Sequence, residues 1–203
     1  MSRILAVLAL LLGSFTAALA DDVSPDPAKA PSGTYALETR HSQVLFAIPH
    51  LELTDFWGRF DGLSGSLNFD GKALEKSSVT IAIDMASVDT PSQRLNSELA
   101  GPNVFNAAAD PTATFQSTSV ARTGPATGKI TGNLTLHGVT RPVTLDVTFN
   151  GARQSPLGQG YELGFSATAT IKRTDFGITG MPWEPMVGDD VKLTIEALFE
   201  KKS

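Results

Sequence analysis

The chain has 203 residues, no cysteine, three histidines and a formal net charge of −5. That acidity argues against a nucleic-acid partner. Without thiols there can be no cysteine nucleophile, thiolate metal site, disulfide or lipid-modified cysteine, so the fold must hold by burial alone.

The chain begins MSRILAVLALLLGSFTAALADD. Arg3, the apolar run Ile4 to Leu12 and the small-residue end Ala18-Leu19-Ala20 together read as a secretory signal peptide, with cleavage expected after Ala20. The run is too short to serve as a permanent bilayer anchor. The expected location is therefore the periplasm. Residues 21–203 would form the mature chain, with a charge of about −6 once Arg3 is removed, and their length suits one domain with a proper core. Residues 21–33, DDVSPDPAKAPSG, are rich in Pro, Asp and Ala without periodicity and read as a flexible leader. The domain is expected over 34–203.

From Thr34 onward the dominant signal is alternation with a period of two, the mark of half-buried strands. Strands are expected at 33–39 and 43–50; in the second, Val44, Phe46 and Ile48 share a face with Ser42 and His50 at its ends. A further strand is read over 58–69. In SSVTIAIDMAS, Val79, Ile81, Ile83 and Met85 alternate with Thr80, Ala82 and Asp84. SQRLNSELAGPNVFNAAADP breaks the pattern and reads as a short helical or irregular crossover. Strands resume at 112–120 and in GKITGNLTLHG, with Ile130, Leu134 and Leu136 on one face. RPVTLDVTFNG follows with Val143, Leu145, Val147 and Phe149. YELGFSATATIK aligns Tyr161, Leu163, Phe165, Ala167, Ala169 and Ile171, and VKLTIEALFEK aligns Val191, Leu193, Ile195, Ala197 and Phe199.

These eight or nine strands suit an antiparallel sandwich or closed barrel. About eight strands closing on themselves leave an interior filled by side chains or by one small ligand. An outer-membrane barrel shows the same alternation with its apolar face outward, but two Trp and two Tyr are few for interfacial girdles. No other stretch is long and apolar enough for a transmembrane helix.

The blocks HSQVLFAIPHL, GRFDGLSGSLNFD, SVTIAIDMASVDT, NVFNAAADPTATFQSTSV, GKITGNLTLHGVTRPVTLDVTFNG, KRTDFGI and VGDDVKLTIEALFE, in that order, resemble the YceI-like family from Tyr35 to Phe199. The resemblance implies an exported, all-β, lipocalin-like antiparallel barrel of about eight strands with a short helical crossover. It also implies that a polyisoprenoid chain, such as a quinone tail, sits in an elongated apolar cavity. Two departures stand out. Glu38 occupies a position where the family often has Asp. The family's crossover commonly reads Arg-Asp-x-His-Leu, whereas Asn96, Glu98 and Leu99 stand here without a histidine.

Reactive groups are sparse. His41 and His50 are separated by nine positions, so on one uninterrupted strand they point to opposite faces. His137 precedes Gly138 at a strand end. Three ligands for a catalytic zinc are not in evidence at any helical spacing, so each histidine reads as a hydrogen-bonding group at a strand end or turn, and no metal is expected. Ser42 beside His41 points away from it, and no nucleophile elbow is present. Asp189 and Asp190 read as turn residues, and Arg173 with Asp175 as charges for a cross-face ion pair that closes the barrel. No catalytic residue is expected.

The apolar faces are more informative. Ala167, Ala169, Ala197 and Gly132 lie beside large residues, and small residues inside a barrel leave volume that a neighbour or a ligand must fill. The expected ligand-lining set is Val44, Phe46, Ile48, His50, Phe60, Ile81, Ile83, Phe115, Leu134, Phe165, Trp183 and Ile195. Met181, Trp183 and Met186, with Phe56-Trp57 and Phe105, are expected to rim or lid the cavity. Ser42, His50 or Arg59 would fix a polar head group. The expected partner is an amphiphilic isoprenoid small molecule, a polyprenol or isoprenoid quinone held without a covalent cofactor. Transient contact with a membrane or membrane protein, and a homodimer, are left open. The alternative reading is a periplasmic stress or interaction protein whose barrel is packed solid and whose loops bind another protein.

Overall fold

The computed structural model describes residues 23–156 and 160–201. The expected signal peptide at 1–20 lies outside the described residues, as do the first two leader residues. In chain order the elements are β1 (Gly33–His50), β2 (Thr54–Phe60), β3 (Leu63–Phe69), β4 (Ser78–Asp84), β5 (Val88–Asp89), α1 (Gln93–Ala100), β6 (Thr112–Arg122), β7 (Thr127–Leu136), β8 (Val139–Gln154), β9 (Tyr161–Lys172) and β10 (Asp190–Lys201). All pairings are antiparallel.

Around the ring the order is β10-β9-β8-β7-β6-β4-β3-β1, and β1 returns to β10, so eight strand positions close a barrel. β2 and β5 continue the rows of β3 and β4 at one end: β2 pairs with the second half of β1, and β5 with β2. The strand expected over 58–69 is thus two strands, interrupted at Asp61-Gly62, where Gly62 O accepts from Asp84 N. The polar residues alternate to the outside. Along β8, Thr144, Asp146 and Thr148 are exposed while Val143 and Phe149 are buried.

β1 merges the two strands expected at 33–39 and 43–50. Its register against β10 shifts between Glu38 and Gln43, so that residues 39–42 bulge opposite Ala197. A bulge bends the strand and steepens its twist, which lets β1 face β3 through its first half and β2 through its second. The backbone donors freed by the bulge are taken up locally. Glu38 Oε1 accepts from Arg40 N, and Glu38 Oε2 from His41 N. The Arg40 guanidinium and the His41 ring also donate to the same carboxylate, each at 2.7 Å. Ser42 Oγ accepts from Leu198 N at 3.0 Å and donates to Glu38 O. Burial by itself would push the Glu38 carboxyl up. The donors from Arg40 and His41 outweigh it and bring the pKa down to about 2.

The segment read as a flexible leader is seated on the barrel from Ser24 onward. Ser24 exchanges both backbone hydrogen bonds with Ala152, Asp26 caps a 3-10 turn over Pro27–Lys29, and Pro27 and Ala30 are buried. Its many prolines do not leave it loose, because apolar burial and this bridge fix it. Tyr35, fully buried at the same end, donates its hydroxyl to Pro31 O at 2.6 Å. Desolvation pushes its phenol up to about 12, which keeps it a donor.

Because the folded-state pKa of Glu38 lies below the ordinary 4.5, its ionised form stabilises the fold above that value. The contribution is lost as pH falls from about 4.5 towards 2. Glu38→Gln should cost about 1–3 kcal/mol near neutral pH by leaving buried donors poorly matched. The gap between variant and wild type in urea midpoint should narrow across that acid window. A pH-independent gap would show that the carboxylate charge does not hold the bulge.

Candidate functional site

The barrel is not packed through. Three apolar chambers lie in line along its axis: a mouth chamber of about 310 Å³, a central one of about 140 Å³ and a distal one of about 80 Å³. Mouth and central chambers share Val44, Ile83, Leu134 and Leu193 as a waist. Central and distal chambers share Leu67, Val79, Ile130, Val147 and Phe165. Interior residues such as Ile81, Ile83, Leu145, Leu193 and Ile195 pack against the core but are only half-buried, because part of each faces this space.

All twelve residues named from the sequence face these chambers. Phe46, Ile48, His50, Phe60 and Trp183 line the mouth chamber, and Val44, Ile83 and Leu134 the waist. Ile81, Phe115 and Ile195 line the central chamber, and Phe165 stands between central and distal. Period-two alternation explains this: once Val44 faces inward, so do Phe46, Ile48 and His50. The small residues divide. Ala167 and Ala197 open the central chamber. Gly132 does not, because the Phe115 ring lies over it and a Cβ there would collide with that ring.

Two segments cover the mouth. The first is the crossover after β5. Ser92 caps α1 by accepting from Leu95 N, and Asn96 Oδ1 accepts from Thr90 N and Thr90 Oγ1, which fixes the helix to the strand end. α1 then turns Leu95 and Leu99 into the chamber, with Val104 and Phe105 following. Phe105 completes an aromatic row, 5.4 Å from Phe60, which is 5.6 Å from Phe46. Of these crossover residues Phe105 was expected at the rim, and it lines the chamber; Leu95, Leu99 and Val104 were read only as part of a break in alternation, and Leu95 and Leu99, four apart on a helix, are the signal that would have found them.

The second cover is the loop between β9 and β10, which brings Ile178, Met181, Trp183 and Met186 over the opening. Arg173, buried at the end of β9, holds it. Its Nη1 donates to Ile178 O and to Glu184 Oε1, both at 2.8 Å, and its Nε donates to Gly188 O at 3.0 Å. The expected partner of Arg173 was Asp175; the loop folds back and supplies Glu184 instead. The Arg173 hydrogen bond, with the Gly180 amide, holds the Glu184 carboxyl below its usual range. Asp189 accepts from Thr174 N and Thr174 Oγ1, and these donors outweigh burial in lowering its pKa. Asp189 and Asp190 also flank Lys172 at 3.6 and 2.9 Å, closing the turn before β10. Of the expected rim residues, Trp57 faces outward and is half exposed; Phe56 lines the chamber.

Polar groups at the mouth are few. The His50 ring makes no hydrogen bond among the described residues and lines the chamber, as does Arg173, whose Nη2 makes none among them either. The other two head-group candidates are engaged elsewhere. Ser42 closes the β1 bulge, and Arg59 pairs with Asp61 and Asp89 on the outside. The histidines are dispersed: His41 is at the bulge on the outer face, while His137 Nδ1 donates to Phe176 O from the β7–β8 turn. Among the described residues no three His, Cys, Asp or Glu gather as a metal would require.

Removing the latch should free the loop without opening the barrel. In Arg173→Met, the amides of Ile178, Met186 and Gly188 should exchange with deuterium roughly tenfold faster or more, given that hydrogen bonds to a charged group contribute about 1.5–3 kcal/mol. Amides of β8 and β9 should keep wild-type protection; uniform loss across the barrel would mean that Arg173 supports the whole fold.

Residues 35–199 match the YceI-like domain. A UPF0312 protein of Pseudomonas aeruginosa is 39% identical over 180 residues, covering 88% of each chain. Among solved structures, BcnA of Burkholderia cenocepacia superposes with a TM-score of 0.72 at 27% identity, covering 80% of this chain and 98% of its own. A polyisoprenoid binding domain from Saccharophagus degradans, implicated in plant cell wall breakdown, has the same fold, with a TM-score of 0.63 at 20% identity over 82% of this chain and 97% of its own. The barrel, its order of strands and the match across nearly the whole described chain lead to one assignment: this protein belongs to the YceI-like family.

Proposed function

We propose that this protein is an exported, periplasmic binding protein that holds the apolar tail of an isoprenoid lipid, a polyprenol or an isoprenoid quinone, inside its barrel. The observation that carries this reading is the row of three chambers, walled mostly by hydrocarbon, with His50 and Arg173 at the mouth, Ser42, Gln43 and Glu196 bordering the central chamber and Arg122 and Thr127 the distal one. Each methylene moved from water into such a wall contributes about 0.8 kcal/mol, so a tail of several isoprene units needs no charged anchor. The polyisoprenoid-binding relative of the same fold agrees with this ligand class.

The head group is an uncharged hydrogen-bond acceptor or donor. Arg173 is already matched by Glu184, so the mouth offers N–H groups without a net positive charge that would balance a diphosphate. The role is carriage, storage or sequestration of the lipid between membranes, with any redox chemistry residing in the ligand itself.

Pick-up from a bilayer is supported by the rim. Leu51, Leu53, Trp57 and Met186 are among the few large apolar residues left exposed, and all belong to the β1–β2 turn, β2 or the mouth loop. Leu51 and Glu52 hold positive φ angles of 54° and 57° to make that turn, and Leu51 N donates to Met186 O. Strain of this kind persists where a surface is used.

The deciding experiment is to purify the mature protein from its own cells, extract it with organic solvent and identify the extract by mass spectrometry. A near-stoichiometric prenylated species is expected. A clean extract, together with failure to take up added ubiquinone or polyprenol, would sink this reading in favour of a protein-binding role. Two variants refine it. Trp183→Ala should speed release of a bound prenyl chain in stopped flow, and an unchanged off-rate would deny the loop a lid function. Leu53→Glu should slow uptake from phosphatidylcholine vesicles while leaving the Kd for a short-tailed soluble quinone unchanged.

A further inference from the structure

The central chamber does not end in open space. It is widened by the small side chains of Ala167, paired with Ile195, and Ala197, paired with Phe165, and at its far side it meets the ring of Phe165. That ring is braced by two others. It lies 5.4 Å from Phe149 and 6.0 Å from Phe199, both buried, and Phe149 stacks on Phe69 at 6.4 Å. Aromatic pairs of this kind resist displacement beyond what their buried area provides.

Behind Phe165 lies the distal chamber, walled in part by Pro27, Leu74, Val120 and Pro125. Its side wall is incomplete. β6 pairs with β4 only through Thr112–Gln116, yet β6 runs on to Arg122 with β7 as its one strand partner there. Ser117 Oγ stands in for the ladder by accepting from Val79 N. Past that point a slot remains between the 74–78 segment and Val120–Arg122.

We infer that Phe165 is the length stop of the cavity: a tail entering past His50 ends against this ring, and the ring sets the longest tail accommodated in full. The inference rests on the tail-binding function proposed above and adds a specificity-determining residue to it. Removing the ring joins the central and distal chambers and opens a path to the slot beside β6. Enlarging a residue just before the ring moves the stop towards the mouth.

The test uses the mature protein and ubiquinones carrying from two to ten isoprene units, with Kd read by quenching of tryptophan fluorescence. In the wild type, Kd should improve with each added unit up to a limiting length and then level off. Phe165→Ala should raise that limit by at least one unit and tighten binding of the next longer tail roughly tenfold, with short tails changed less than about threefold. Ala167→Leu, which fills the central chamber and leaves the aromatic floor intact, should lower the limit. It decides the matter even if Phe165→Ala does not fold. An unmoved limit in a folded variant, or both limits moving the same way, would overturn the stop. If the wild type binds no ubiquinone or polyprenol of any length, the tail-binding function itself fails, which is a different result from a limit that does not move.

Discussion

Closure of the barrel through β1 and β10 is the constraint on which everything else hangs. Strands in a closed barrel must tilt and shear, and β1 must meet β3 with its first half, β2 with its second and β10 along its length. A straight strand cannot do so. The bulge at residues 39–42 provides the bend, and Glu38 and Ser42 absorb its polar consequences. A buried carboxylate is costly unless its hydrogen bonds are complete, and here four donors from two adjacent residues complete them. The bulge also sets parity, because its last residue, Ser42, faces inward and so puts Val44, Phe46, Ile48 and His50 on the cavity wall.

The distribution of aromatic residues follows from leaving that cavity unfilled. Interior voids forfeit dispersion contacts, and this chain has no disulfide to compensate. Its rings are concentrated at the two ends. Tyr35, Phe69, Phe149, Phe165 and Phe199 form one connected set at the leader end, and Phe46, Phe60 and Phe105 another at the mouth. Between them the wall is mostly aliphatic, with Phe115 laid flat into the space above Gly132. Rigid ends and a smooth middle suit a flexible hydrocarbon chain, which needs contact along its length and no specific polar partner.

The inner faces were legible in the sequence because a period of two leaves a residue only two directions, and one of them is apolar. Val79, Ile81 and Ile83, or Leu193 and Ile195, can be assigned without knowing the partner strand. What depends on contacts between distant segments was not legible. The break at Asp61-Gly62 looks like any glycine in a strand until Asp84 N is seen bonding to Gly62 O. The leader looks loose by composition, yet Ser24 finds Ala152 across the barrel end. Arg173 was visible as a charge in KRTDFGI, but its partner lies across a loop whose path is set by Gly177 and Gly180, both at positive φ. Trp57, between Phe56 and Gly58, takes the outward parity, which hydrophobicity alone could not assign.

The two ends of the cavity differ in how they are held, and that difference assigns them different roles. The floor is secured by interlocked rings, by the seated leader and by the Tyr35–Pro31 hydrogen bond, so disturbing it means disturbing the core. The mouth loop from Ile178 to Gly188 is tied down by the Arg173 guanidinium, by the strand-end bridge of His50 to Val187 and by the buried side chains of Ile178 and Met181. Local opening follows the path that breaks the fewest buried contacts, and here that path is the loop. Exchange through the mouth therefore leaves the ladder from β6 to β10 intact. In the proposed function, the energy that retains a ligand resides in the wall, the latch governs its rate of entry and exit, and the floor governs how much of it fits.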